Sequence, residues 1–142
     1  MELTGLLAPQ DEGRQIREII ALAGETRGIA LSERQARELL AARCEALKAY
    51  GRAEFGGGIT PRLIKTFGGS PYIAEEDFVQ TVCALTELFY EYKTRTELAD
   101  GRLLDFMSAA FDGECRGELS LLEGALAELE KRLNGAAGDV LR

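Results

Sequence analysis

The sequence contains no histidine and no tryptophan among its 142 residues. The absence of histidine excludes Ser-His-Asp and Cys-His catalysis, because both mechanisms need an imidazole as the general base. It also excludes zinc sites of the histidine-rich kind. Any general acid–base chemistry would therefore fall to carboxylates, cysteine, lysine or tyrosine.

Long hydrophobic runs are also absent, and cysteine is scarce. The longest apolar run, Ile19–Ala23, is far shorter than the roughly 20 residues that a membrane-spanning helix needs. Met1–Leu7 has no basic segment ahead of an apolar stretch, so a secretory signal is not expected. The three cysteines are scattered and form no Cys-x-x-Cys pair. This usage is typical of a reduced, cytoplasmic protein.

Positive charge is in short supply in the second half of the chain. Residues 1–72 carry 10 basic and 9 acidic side chains, whereas residues 73–142 carry 7 and 15, which gives the net charge of −7. A nucleic-acid-binding protein needs a basic stripe that displaces counterions from phosphates, and none is visible. The sequence therefore favours a protein partner or a homo-oligomer, with no nucleic acid and no membrane.

Glycine and proline occur where helix ends are expected in the first half of the chain. Pro9 can open a helix that ends at Gly24 or Gly28. Ser32 and Gln35 form a capping box, which predicts a helix to about Tyr50 with Gly51 as its stop. Ile29 and Leu31 alternate just before it, which leaves open one very short β pairing with Arg52–Phe55.

The second half predicts further helices. Thr60-Pro61 predicts a short helix closed by Gly68, and Ser70-Pro71 repeats the same N-terminal signal. The next helix, about 71–94, is apolar over a wide arc and is expected to be the buried centre of the fold. Further helices are expected from Asp100 and over about 115–133, where Asn134-Gly135 would end the last one. We predict an all-α, compact bundle of five or six helices in one domain, 1–135, followed by a frayed tail, 136–142.

The segment Gly56-Gly57-Gly58 precedes a predicted helix N-terminus. Backbone N–H groups of such a loop can hold an anion, and Arg62 on the first turn could assist. The segment does not match the phosphate-binding loop pattern GxxxxGK[ST]. The alternative interpretation is a tight turn or close packing that only glycine permits.

The segment Asp112-Gly113-Glu114-Cys115 has three interpretations. Cys115 in the first turn of a helix could be a reactive thiol, although the two acidic neighbours disfavour a thiolate. Asp112 could instead be a helix cap, with Cys115 a core thiol. The segment also overlaps a calcium-loop template up to Glu123, but Arg116 stands where an oxygen ligand belongs. The calcium interpretation predicts a loop over 112–119, whereas the cap interpretation predicts helix from 115 onward.

Three further segments are distinctive when taken together: Glu54-Phe55-Gly56-Gly57-Gly58, Ser70-Pro71-Tyr72 and Phe111-Asp112-Gly113-Glu114-Cys115. They resemble a small bacterial family of proteins of unknown function, a domain of unknown function, and the likeness extends over most of residues 28–125. The resemblance implies a standalone cytoplasmic bacterial protein. It supplies no activity, cofactor or catalytic residue.

The sequence favours a non-enzymatic helical adaptor or regulatory protein that acts through protein–protein contacts. The reasons are the missing catalytic constellation and an acidic half that suits a less acidic surface. The alternative is a small-ligand or cation-binding module built from the 54–58 and 112–115 loops, if these meet. Its candidate ligand-binding residues are Glu54, Phe55, Gly57, Gly58, Arg62, Asp112, Glu114 and Cys115. No catalytic residue, metal or cofactor is predicted, and an enzyme that uses carboxylates or Cys115 is a third alternative.

Overall fold

The computed structural model describes residues 9–54 and 58–141, with side chains described over 12–54 and 58–135. Within these ranges the chain forms α-helices and no strand, so the predicted all-α class is confirmed. The helices are α1 (Pro9–Arg27), α2 (Glu33–Ala49), α3 (Thr60–Phe67), α4 (Phe78–Thr96), α5 (Asp100–Asp112) and α6 (Leu119–Leu141). A single 3₁₀ turn, Glu75–Asp77, leads directly into α4. None of the described helices is long and apolar enough to cross a membrane.

The boundaries of α1 and α2 follow the sequence signals. Gly28 follows α1 with φ of 67° and Gly51 follows α2 with φ of 62°, a left-handed conformation that glycine adopts without a side-chain clash. The capping box of Ser32 is formed in both directions with Gln35. The short β pairing is wrong within the described residues, because Ile29 lies buried in the α1–α2 loop without strand structure.

The start of α4 differs from the prediction. Ser70 does not cap a helix, because its hydroxyl donates to the Asp112 carboxylate at 2.7 Å. Arg27 donates to the backbone carbonyls of Gly68, Ser70 and Ile73, which holds this segment out of a helical conformation. The helix therefore begins only at Phe78.

The predicted central helix is confirmed. α4 contacts α2, α3, α5 and α6, and its apolar stripe is buried against them. The stripe includes Phe78, Val82, Leu85, Phe89 and Tyr92, each less than 5% exposed. Edge-to-face aromatic packing joins α3 to α5, where the rings of Phe67 and Phe111 lie 5.5 Å apart.

The last helix differs from the prediction at both ends. It begins at Leu119 because the preceding turns place Arg116 at φ of 49° and Gly117 at φ of 80°, which no right-handed helix accommodates. It continues through Asn134-Gly135 to Leu141, so the predicted stop is wrong. Glycine inside a helix costs only about 1 kcal/mol, which is too little to end a helix of this length.

Candidate functional site

A buried polar network lies between α2 and α4, beneath the chain that leads into α3. The side chain of Arg43 on α2 is 1% exposed. Its Nε donates to Glu54 Oε1 at 3.1 Å, and its Nη2 donates to the Glu54 backbone carbonyl at 3.4 Å. The hydroxyl of Tyr90 on α4 donates to the same Oε1 at 2.5 Å. The Glu54 carboxylate thus joins α2 to α4, the two helices that pack most extensively against each other.

The electrostatics of the network are those of a structural ion pair. A cation buried as deeply as Arg43 is stabilised only when a counter-charge and hydrogen bonds accompany it, and Glu54 supplies both. Burial, and then the hydrogen bond to Glu54, raises the pKa of Tyr90 well above its ordinary value. The phenol therefore stays protonated as a donor, which does not suit general-base chemistry.

Gly58 packs directly on this network. It has φ of 67°, and a Cβ atom built there would lie 2.2 Å from Arg43 Nε. The glycine is therefore required both by its backbone conformation and by the guanidinium beneath it, as the close-packing interpretation predicts. Phe55 and Gly57, two other candidate ligand residues, lie outside the described residues.

The sequence reasoning missed Arg43, although a signal for it was present. Arg43 is four residues from both Leu39 and Leu47, so it occupies the apolar stripe of α2. A charged residue on such a stripe predicts a buried partner of opposite charge. The capping box and the apolar spacing of α2 predict a helix, but neither of them singles out Arg43.

A second polar cluster joins the 68–73 segment to the end of α5. The Ser70 hydroxyl donates to Asp112 Oδ1 and accepts from the Tyr72 backbone N–H at 3.3 Å. The three carbonyls bound by Arg27 fix the same segment to the end of α1. Gly117 packs against Tyr72, because a Cβ atom at Gly117 would lie 2.4 Å from Tyr72 Cβ. Two of the three segments that carry the family resemblance therefore meet here.

The geometry of the 112–115 segment decides between its local interpretations. Asp112 is the last residue of α5, residues 113–117 form turns and α6 begins at Leu119, so the cap interpretation is wrong about where the next helix begins. The loop agrees with the calcium template, but the described residues contain no group of three or more acidic or cysteine side chains that could hold a metal ion. Glu114 is exposed, and Cys115 is 1% exposed. Burial and the nearby Glu114 carboxylate raise the pKa of the Cys115 thiol, which disfavours a thiolate nucleophile.

The described residues next to the two predicted loops lie at opposite ends of the α3–α5 pair. Arg62, in the first turn of α3, lies 3.7 Å from Asp100 at the start of α5. Asp112 ends α5, and at 1.5 Å per residue that is about 18 Å from Asp100. Gly58 precedes α3 at the first end, whereas Ser70 follows it at the second. Among the described residues of the two loops, Gly58 and Arg62 therefore lie at one end of this helix pair and Asp112 at the other.

The described residues include two large hydrophobic side chains that are well exposed. Tyr72 is 45% exposed and Leu121 is 54% exposed. Tyr72 packs on Gly117, and Leu121 is only four residues further along, in the first turn of α6. We call these two exposed side chains, together with Gly117, the Tyr72–Leu121 surface. The sequence reasoning missed it because the contact between Tyr72 and Gly117 joins residues far apart in the sequence and depends on how the chain folds.

The fold and these clusters define an all-α helical protein whose polar groups mainly fix its loops. The sequence pattern of DUF6323, described as a family of unknown function, matches residues 18–137. The chain belongs to this family, which agrees with the resemblance found in the sequence. Searches of curated proteins and of solved structures each gave no match.

Proposed function

We propose that the chain is a non-enzymatic helical adaptor or regulatory protein that acts through contact with another protein in the cytoplasm. The observation that carries this proposal is the Tyr72–Leu121 surface. Tyrosine is enriched at the energetic centres of protein interfaces, because it offers a large apolar area and a polar tip. An exposed pair of large hydrophobic side chains at one junction suits that role.

The surface is held in place before any partner arrives. Arg27 fixes the segment that carries Tyr72 with three hydrogen bonds, and the ring rests on Gly117. A preorganised contact surface costs less conformational entropy on binding. The rigidity of this junction therefore supports a recognition role over a catalytic one.

Two further observations support the non-enzymatic and cytoplasmic parts of the proposal. Cys115, the thiol considered as a nucleophile, is buried. All three cysteines are free thiols in the structure, which is the usual state in a reducing compartment.

The test is site-specific photo-crosslinking in the source cells. A photoreactive residue replaces Leu121, and a matched control places it at Asp105, an exposed position on α5. The proposal predicts a discrete crosslinked protein from position 121, absent from position 105 and reduced at least fivefold by Tyr72→Ser. A second copy of the chain would count as the partner. Equal labelling from both positions, or no crosslink at 121, would contradict the proposal.

A further inference from the structure

Two shallow, open depressions of about 290 Å³ and about 430 Å³ lie along α2 and α4. They are built from elements other than those of the Tyr72–Leu121 surface. The first is lined by Ile29, Ala30, Leu31, Gln35, Glu75, Glu76 and Val79. The second is lined by Ala42, Glu45, Ala46, Ala49, Cys83, Ala84 and Glu87.

The two depressions follow one another along the same faces of α2 and α4, and we call the two together the groove. On α2 the lining residues Gln35, Ala42 and Ala49 repeat every seven residues, which places them on the same helix face. On α4, Val79 in the first depression and Cys83 in the second are four residues apart and share a face. From residue 35 to residue 49 the groove is about 21 Å long, at 1.5 Å per residue.

The groove combines a floor of small side chains with acidic edges. Alanines line most of the second depression, so a partner backbone could approach closely. The charged residues that line the two depressions are all glutamates: Glu75 and Glu76 in the first, and Glu45 and Glu87 in the second. Glu45 and Glu87 are exposed and have no ion-pair partner in the described part of the chain. The nearby Arg95 is already paired with Glu91 and Glu130.

We propose that this groove binds a basic amphipathic helix of another protein, about four turns long. Apolar side chains on one face of such a helix would fill the alanine floor, and flanking lysines or arginines would pair with the carboxylates. A length of 21 Å accommodates about 14 helical residues. A second copy of the chain would bring a further net charge of −7, and residues 1–8 contain no lysine or arginine, so neither matches the charge of the groove.

The test uses a synthetic helical peptide of about 16 residues, with leucines on one face and lysines elsewhere. A second peptide keeps the leucines and replaces every lysine by glutamate. We expect saturable one-to-one binding of the lysine peptide by the full chain, measured by fluorescence anisotropy, and at least tenfold weaker binding of the glutamate peptide. No saturable binding of the lysine peptide would overturn the proposal.

Matched variants separate the groove from the overall charge. Glu45→Lys with Glu87→Lys should weaken binding at least tenfold, whereas Glu25→Lys with Glu128→Lys, which changes the net charge equally at exposed positions elsewhere, should change it less than twofold. Ala49→Trp should block the groove, whereas Ala41→Trp, on an exposed position outside the lining, should not. Equal losses in groove and control variants would show non-specific charge attraction and overturn the proposal.

Cysteine reactivity locates the bound peptide. Cys83 lies in the groove, and Cys44 on α2 does not line it; both are half-buried. Bound lysine peptide should slow alkylation of Cys83 at least threefold and leave Cys44 unchanged. If alkylation slows at neither cysteine, the peptide binds elsewhere and the proposal is overturned. If binding appears only after removal of residues 1–8, the groove belongs to the chain's own segment, which also overturns the proposal.

Discussion

Arg43 Nε lies 3.1 Å from Glu54 Oε1. This ion pair holds Glu54, which precedes α3 in the chain, against the packed helices α2 and α4. Arg43 is almost wholly buried, whereas the Glu54 side chain is 23% exposed. The guanidinium therefore depends on a partner at the edge of the core. The same oxygen accepts a hydrogen bond from the Tyr90 hydroxyl, so Arg43 on α2 and Tyr90 on α4 share one acceptor on Glu54.

Removing the carboxylate should strongly destabilise the fold. Glu54→Ala leaves a buried cation without its counter-charge, which in comparable cases costs 3–5 kcal/mol. Because Glu54 is partly exposed, we expect a loss of about 3 kcal/mol in the free energy of unfolding, measured by urea denaturation. The control Glu128→Ala, an exposed position on α6, should change it by less than about 0.5 kcal/mol. Similar values for the two variants would show that the ion pair contributes little.

Gly58 and Gly51 form a natural comparison for the packing on Arg43. Both have positive φ, but only Gly58 faces the guanidinium, whereas Gly51 has open space around it. Gly51→Ala should cost about 1 kcal/mol from its backbone conformation alone. Gly58→Ala should cost at least about 1 kcal/mol more, because the Arg43 side chain must move. Urea denaturation of the two variants checks the difference, and equal losses would show that the contact is not rigid.

The raised pKa of Tyr90 predicts a loss of stability at high pH. In the unfolded chain the phenol ionises near its ordinary value of 10.0, whereas in the folded chain it keeps its proton. Above about pH 10 the unfolded state therefore binds fewer protons, and the free energy of unfolding falls as pH rises. Tyr90→Phe should show a shallower fall between pH 9 and pH 11 by urea denaturation at each pH. An unchanged slope would mean that Tyr90 does not contribute to it.

The buried thiol at Cys115 should be protected from alkylation. Burial first, and the Glu114 carboxylate second, raise its pKa above the ordinary value of 9.0, so little thiolate forms at neutral pH. Burial also raises the pKa of the Cys83 thiol, so the order of reaction depends on exposure. Because Cys115 is 1% exposed whereas Cys44 and Cys83 are half-buried, iodoacetamide at pH 7.5, followed by peptide mass spectrometry, should label Cys44 and Cys83 in the native chain before Cys115. Rapid, selective labelling of Cys115 would instead support the enzyme alternative.

The parts of the fold that local chemistry determines could be predicted from the sequence. The capping box at Ser32, the stops at Gly28 and Gly51 and the apolar stripe of α4 depend on residues close in sequence. The start of α4 could not be predicted in this way. Ser70 bonds to Asp112, 42 residues away, and that tertiary contact overrides its local preference for a helix cap.

The candidate site was only partly predictable. The glycine segment and the Asp112 loop were recognised as special, but their separation at the two ends of α3 and α5 depends on how the helices pack. The need for glycine at Gly58 arises from Arg43, which is 15 residues away in sequence. A pattern in sequence indicates that a residue is unusual, whereas its partner appears only once the chain is folded.

Native mass spectrometry of the untagged protein from its source cells tests the central claim most directly. The account predicts a mass of the 15.5 kDa chain together with another polypeptide, or of two or more copies of the chain. Tyr72→Ser with Leu121→Ser should convert that complex to the free chain without unfolding it. A monomer that carries a small molecule or a metal, or a bare monomer, would contradict the proposed role in protein contact.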